Sequence, residues 1–202
     1  VEGLARHRDA LATELHALED ADARLRVLDG ELASMLAAWQ AAASALTASR
    51  RQAGQRLAAE VESMLGALGM QGGAFAVELQ AVPDPLQPDP DGAERVELQV
   101  SANPGQPLRA LRKVASGGEL SRLSLAIEVA IQGADGAHTL VFDEVDAGIG
   151  GAVAAAVGAK LRALGATRQV LCVTHLPQVA AAGHAQYRVS KAAQAGITQS
   201  QV

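Results

Sequence analysis

Leucine returns every seventh residue at the start of this chain, at Leu4, Leu11, Leu18, Leu25 and Leu32, and Trp39 and Leu46 continue the series. A second apolar position is filled less regularly by Leu15, Ala21, Leu28, Met35 and Ala42. A lone straight helix drifts out of a seven-residue register, so a repeat kept over this many turns specifies a left-handed supercoil against another helix. The register then slips. Leu57, Val61, Met64, Leu65 and Leu68 form a new stripe that begins eleven residues after Leu46, a four-residue stutter or a short break around Ser49–Gly54. Unbroken to about residue 66, a helix rising ~1.5 Å per residue runs on the order of 100 Å. Such an arm pairs with a segment outside these residues or bends at Gly30 or Gly54. A bundle of two or three shorter helices satisfies the same pattern.

Composition narrows the function classes. With 49% apolar and only 2% aromatic residues, the chain has enough apolar surface to fold and packs through small side chains. A formal charge of −5 excludes a polycation, so any contact with nucleic acid needs a local patch. Arg50, Arg51 and Arg56 form one such group, and Arg109, Arg112 and Lys113 another, which could meet DNA phosphates; a solvated basic face is the plainer reading of both. One cysteine, Cys172, excludes an internal disulfide and fits a reducing compartment. No apolar run is long enough to cross a bilayer, and the N-terminus lacks a signal-peptide pattern. These features point to a soluble cytoplasmic protein with no membrane contact. The first residue is not Met and lies in mid-helix pattern, which reads as a piece of a longer protein. His7, His16, His138 and His184 have no metal-ligand spacing.

Gly69 to Gly73 closes the helical region, dividing an arm over residues 1–70 from a domain over 71–202. Ala74–Val82 and Glu94–Ser101 alternate apolar and polar residues and read as a hairpin over 74–101, joined by the Pro- and Asp-rich stretch Pro83–Gly92. Beyond Asn103–Pro107 the pattern becomes α/β. A helix is expected from Gly118 to Gln132, a buried strand at Thr139–Phe142, a helix over Gly150–Leu164 and a second buried strand at Gln169–Val173. A short helix follows Pro177, and Tyr187–Ser190 and Ile197–Val202 read as closing strands. Apolar strands alternating with helices imply a largely parallel sheet whose functional edge lies at the strand C-termini.

Three motifs fall at that edge. Ser116-Gly117-Gly118-Glu119 opens a helix; free N–H groups at a glycine-rich helix start attract anions, although Ser116 and Glu119 also have plain capping-box spacing. Thr139–Phe142 delivers the adjacent acids Asp143 and Glu144. Strand alternation would aim them in opposite directions and give them different roles, one toward a Mg²⁺ shell and one toward a water; an exposed turn is the plain alternative. Val170–Val173 ends in Thr174 and His175, whose imidazole reads either as a phosphate contact or as a capping histidine. Cys172, in an apolar strand, and Trp39, at a heptad core position, read as packing.

The order of these motifs resembles the signature, Walker B, D-loop and H-loop series of ABC-type ATPases, with Asp146-Ala147-Gly148 at the D-loop position. The runs VASGGELSRLSLAIEVA, TLVFDEVDAGIGG and QVLCVTHLPQVAAAG are similar to the RecN family of bacterial SMC-like DNA-repair ATPases, whose heads are split by a long coiled coil. This likeness is strong from Asn103 to Lys191; upstream it rests on the heptads and on LTASRRQAGQRLAAEV and GALGM. It implies the C-terminal lobe of an ABC-type P-loop ATPase head, with the signature-to-H-loop region at 115–175, preceded by coiled-coil helices. It further implies that Ser116, Gly117 and Gly118 meet the γ-phosphate of ATP held by a partner head, with Glu119 beside them in the nucleotide-binding motif, and that Asp143 supports Mg²⁺. Glu144 would activate water, His175 would contact the γ-phosphate on its own side, and Asp146 would couple the two sites. The implied partners are DNA, a second head in a homodimer, an N-terminal lobe of the same protein and an antiparallel arm helix, in a cytoplasmic protein associated with the nucleoid and acting at double-strand breaks.

One expected element has no match. No G-x-x-x-x-G-K-[ST] loop occurs in these residues, so the chain by itself is expected neither to bind ATP tightly nor to hydrolyse it. A transporter ATPase subunit shares the three motifs but needs no heptad arm. A non-enzymatic coiled-coil adaptor with a degenerate head needs neither the paired acids nor His175.

Overall fold

The structure is a computed structural model that describes residues 2–82, 88–114, 116–131, 137–194 and 197–201, with backbone alone for Glu2 and for residues from 191 onward. In chain order the elements are helix α1 (Glu2–Leu65), strands β1 (Ala74–Ala81), β2 (Glu94–Ser101) and β3 (Arg109–Ala110), and a 3-10 turn at Leu111–Lys113. Then come α2 (Gly117–Ala130), β4 (Thr139–Phe142), α3 (Gly151–Leu164), β5 (Gln169–Cys172), α4 (Pro177–Ala180), β6 (Ser190–Gln194) and β7 (Ile197–Gln201). Its contacts divide it into two units, Val1–Arg50 with Ala81–Arg95, and Arg51–Gln80 with Val96–Val202; the division suggested by the sequence falls at residue 70.

In the first unit α1 carries the heptad stripe. Leu4, Leu11, Leu18, Leu25 and Leu32 are 52–77% exposed, so nothing described covers them. From Trp39 onward the chain itself covers the stripe in part, with Leu46 still 38% exposed. The Trp39 indole Nε1 donates to the carbonyl of Asp89 at 3.1 Å, Ala43 is buried, and Arg50 donates to the carbonyl of Glu94 at 3.1 Å. Gly92, at φ +99°, lies where a side chain would press on Leu46 and Arg50. Trp39 therefore packs as expected, but against residues 88–94 of its own chain.

In the second unit the end of α1 is buried. Val61, Leu65 and Leu68 are fully buried and join Phe75, Leu123, Phe142, Val157 and Leu164 in one core. Helix α1 runs unbroken through Gly30 and Gly54, so the bundle of shorter helices does not form, and the eleven-residue step from Leu46 to Leu57 is a stutter within one helix. Gly54 is needed because β1 passes close: a Cβ there would stand 3.0 Å from that of Val77. The helix ends in a Schellman turn, with Gly69 at φ +80° and the Met70 N–H bonded to the Leu65 carbonyl at 2.9 Å.

Strands β1, β2 and β3 form one sheet in that order. The short β3, not foreseen in the sequence, pairs antiparallel with β2 through Gln99↔Ala110. β4 and β5 pair in parallel from Thr139↔Gln169 to Phe142↔Cys172. They are not buried strands: Leu140, Phe142, Val170 and Cys172 face the core, whereas Val141, Leu171 and Val173 stand 67%, 49% and 62% exposed. Helical cover on one face alone explains the difference. β6 and β7 form a separate antiparallel pair, and β6 starts at Ser190, leaving Tyr187 as exposed loop. Pro83–Gln87, Gln132 and Val202, to which several expected elements extended, lie outside the described residues.

Because Leu164 has no exposed surface, Leu164→Ala is expected to cost roughly 2–5 kcal/mol, partly through the cavity left behind. Urea unfolding of the chain measures this, and a change below about 1 kcal/mol would contradict this packing.

Candidate functional site

Parallel pairing in register brings the C-terminal ends of β4 and β5 to one edge, and Val173 N–H extends the ladder to the Phe142 carbonyl at 2.9 Å. Asp143-Glu144 and Thr174-His175 therefore leave the sheet side by side. Helix α2 starts at the same edge, where the Ser121 hydroxyl donates to the Asp143 carbonyl at 2.6 Å. Ser116 caps α2 by accepting from the Glu119 N–H at 3.3 Å. The capping interpretation of this motif thus holds, and it leaves the following N–H groups at the edge.

The two acids lie beyond the strand, so strand alternation does not set their directions. The turn does. Glu144 has φ 56°, the one positive-φ residue other than glycine among the described residues, a conformation that costs energy in an L-residue. Its N–H donates to Asp143 Oδ1 at 2.9 Å, and its carbonyl accepts from Ala147 N–H at 3.0 Å. This places the exposed Glu144 carboxylate over Gly117, where a Cβ would collide with Oε2. The glycine gives the acid room.

Asp146 is 2% exposed. Its Oδ2 accepts from the Thr174 hydroxyl and from the N–H groups of His175 and Leu176 at 3.0 and 3.3 Å, and lies 3.3 Å from His175 Nδ1. Burial alone would raise its pKa; the Thr174 hydroxyl and the two backbone amides outweigh this and hold the carboxyl below its ordinary value. A depressed carboxyl adds stability above its unfolded pKa and loses it as pH falls through the folded value, so this link weakens below the ordinary aspartate range. The Asp146 carboxylate is thus committed to its own chain, while the His175 side chain stays 70% exposed.

Ser116, Gly117, Gly118, Asp143, Glu144, Asp146 and His175 all line one open cleft, together with Ala147 and Thr174. Glu119 is not part of its lining, and neither are the six basic residues singled out in the sequence; of those, Arg112 pairs with Glu97 at 2.8 Å. Two contributors were missed. Thr174 fixes Asp146, and Arg122 donates from Nη1 to the Ala147 carbonyl at 2.9 Å. Arg122 did leave a signal, since it shares the helical spacing of Gly118, Leu125 and Ala126, the buried face of α2.

Among the described residues no group of three or more His, Cys, Asp or Glu could hold a metal ion. Asp143 still offers a free carboxylate oxygen at the cleft, which suits Mg²⁺, an ion commonly held by one or two carboxylates, waters and substrate phosphates.

The chain is 52% identical over 199 residues to a DNA repair protein RecN of Xylella fastidiosa, covering 98% of the chain and 36% of the relative. It is 43% identical over 201 residues to the RecN of Vibrio cholerae, again with 36% of the relative covered. The chain belongs to the RecN family. It spans about a third of the length of these curated relatives. Among solved structures, a Smc head domain with a coiled coil and joint from Pyrococcus yayanosii matches 73% of the chain and 26% of its own length, with TM-score 0.50 and 20% identity. That likeness shows the fold of this RecN-family chain, an α/β lobe of an SMC-type head preceded by a long helix. No protein-family model matches the chain.

Cys172, half-buried on the core side of β5, has its thiol pushed up to about 11 by burial and by the charges of Asp146 and Asp143. We expect iodoacetamide at pH 8 to modify it well over tenfold more slowly than a free thiol of ordinary pKa ~8.5; equal rates would contradict the packing at this site.

Proposed function

We propose that this chain supplies half of a composite ATP site in an SMC-like DNA-repair ATPase. One observation carries the reading: the glycine turn at Ser116–Gly118, the acids Asp143 and Glu144, and His175 open onto a single cleft, although they are far apart in sequence. The α2 N-terminus offers backbone donors to a γ-phosphate bound by a partner head, with Glu119 shaping the turn through its N–H bond to Ser116. Mg²⁺ would neutralise phosphate charge, and Asp143 would hold its shell. Glu144, aimed by its left-handed backbone, accepts a proton from the attacking water. His175 donates to the γ-phosphate on its own side, steadied by the buried Asp146.

Support for the parts outside this chain comes from what is left uncovered. The exposed apolar face of β4 and β5, with Val141, Leu171 and Val173, fits an N-terminal lobe of the same protein carrying the missing phosphate-binding loop. The exposed heptad leucines fit an antiparallel arm helix. Two such heads would form a homodimer around ATP, and the naming of the RecN relatives as DNA repair proteins supports DNA as the partner and the nucleoid of the cytoplasm as the setting. No helix among the described residues is long and apolar enough to cross a membrane, and no observation favours a transporter subunit or an inert adaptor over this reading.

Two outcomes are expected. The isolated chain should show no ATP turnover and no micromolar ATP binding by calorimetry; either would contradict the division of the site. In the full-length protein, Glu144→Gln should keep ATP binding, cut turnover at least a hundredfold (about 2.7 kcal/mol in the barrier) and trap a closed dimer. Unchanged turnover in a phosphate-release assay would remove Glu144 from the role of base.

A further inference from the structure

We propose that Arg122 is a positioning residue that locks the Asp146–Gly148 turn to the start of helix α2, so that the two sides of the cleft move together; this rests on the site reading above. Arg122 is 6% exposed. Its Nη1 donates to the Ala147 carbonyl at 2.9 Å, while its Nε is buried with no partner among the described atoms. A guanidinium buried this way is a poor choice for stability, because an unpaired donor keeps its full desolvation penalty. Leucine or methionine would fill the same space at no such cost. What an apolar side chain cannot supply is a directed bond to a carbonyl across two elements.

The surroundings are shaped for that bond. A Cβ at Gly118 would stand 3.0 Å from the Ala147 carbonyl oxygen, 3.0 Å from its Cβ and 3.1 Å from Arg122 Nη1. Gly118 therefore has a local task besides any anion contact: it lets the guanidinium and the carbonyl meet. From Ala147 the connection continues through its neighbour Asp146 to Thr174, His175 and Leu176. The Ser121 hydroxyl, adjacent to Arg122, holds the Asp143 carbonyl. Helix α2 thus grips the loop after β4 at two points, and that loop grips the residues after β5. A displacement of the glycine turn on meeting a phosphate is carried to His175 and Glu144 through directed bonds instead of through compliant apolar packing.

The test is made on the full-length protein with Arg122→Met and Arg122→Lys, measuring kcat and KM for ATP, binding of a fluorescent ATP analogue, and melting temperature. Arg122→Met is expected to keep its melting temperature and bind the analogue within about twofold of wild type, yet lose at least tenfold in kcat (about 1.4 kcal/mol). Arg122→Lys, which retains one donor for Ala147, should recover part of that loss. Unchanged kcat in Arg122→Met overturns the proposal, as does a loss that only follows the folded fraction. If Arg122→Met lowers the folded fraction, Arg122→Gln is measured in the same way, and the same split between kcat and binding decides. Glu144→Gln separates the two levels: if it leaves turnover intact, the site reading itself fails, whereas its loss of turnover beside an unaffected Arg122→Met removes the coupling alone.

Discussion

The carboxylate of Asp146 is taken out of water and given back a hydroxyl and two backbone amides. A buried charge persists only when its lone pairs are met this way, since desolvation otherwise drives it to neutrality. The donors come from Thr174, His175 and Leu176, and the acceptor from the loop after β4. The cost of burying the charge is recovered only when the two loops stand in one relative position. Everything at the cleft follows from that constraint: His175 is aimed, Ala147 presents its carbonyl to Arg122, and Glu144 is held in a backbone conformation it would not choose alone.

Packing in each unit follows the same logic of cover found or left wanting. The heptad stripe of α1 is exposed along its first five leucines and only partly covered from Trp39, where the indole bonds to Asp89. The β4–β5 pair is covered on its core face only. Exposed leucines and valines of this extent are unusual for surfaces meant for water. On the function proposed above, they would be covered by polypeptide beyond the third of the RecN length that this chain spans.

Periodic features were legible in the sequence because helices and strands each repeat their apolar positions at a spacing of their own. The heptads gave the helix, β4 was placed at its observed bounds, and α3 and β5 were placed within a residue of theirs. The cleft residues were found because glycine, paired acids and histidine at strand ends are chemically distinctive. What stayed hidden depended on the partner across space. Nothing local says that Leu46 and Gly92 meet, that a two-residue strand extends the sheet, or that one face of β4 lacks a helix. Continuity through Gly54 was ambiguous because glycine weakens a helix; its reason, the close approach of Val77, belongs to β1.

The acids show most clearly how geometry corrects a pattern. Alternation along a strand would separate Asp143 and Glu144 by pointing them to opposite faces, yet the strand ends before them. Their separation comes instead from a left-handed residue braced by its neighbour: Asp143 Oδ1 accepts the Glu144 N–H, and Gly117 gives the Glu144 carboxylate room. One acid thereby spends an oxygen on shaping the turn, and the other is left free in the cleft. The strained backbone at Glu144 is thus the structural counterpart of the buried charge at Asp146: the second fixes the loop, and the first uses that fixed loop to hold a carboxylate where relaxed chain geometry would not leave it.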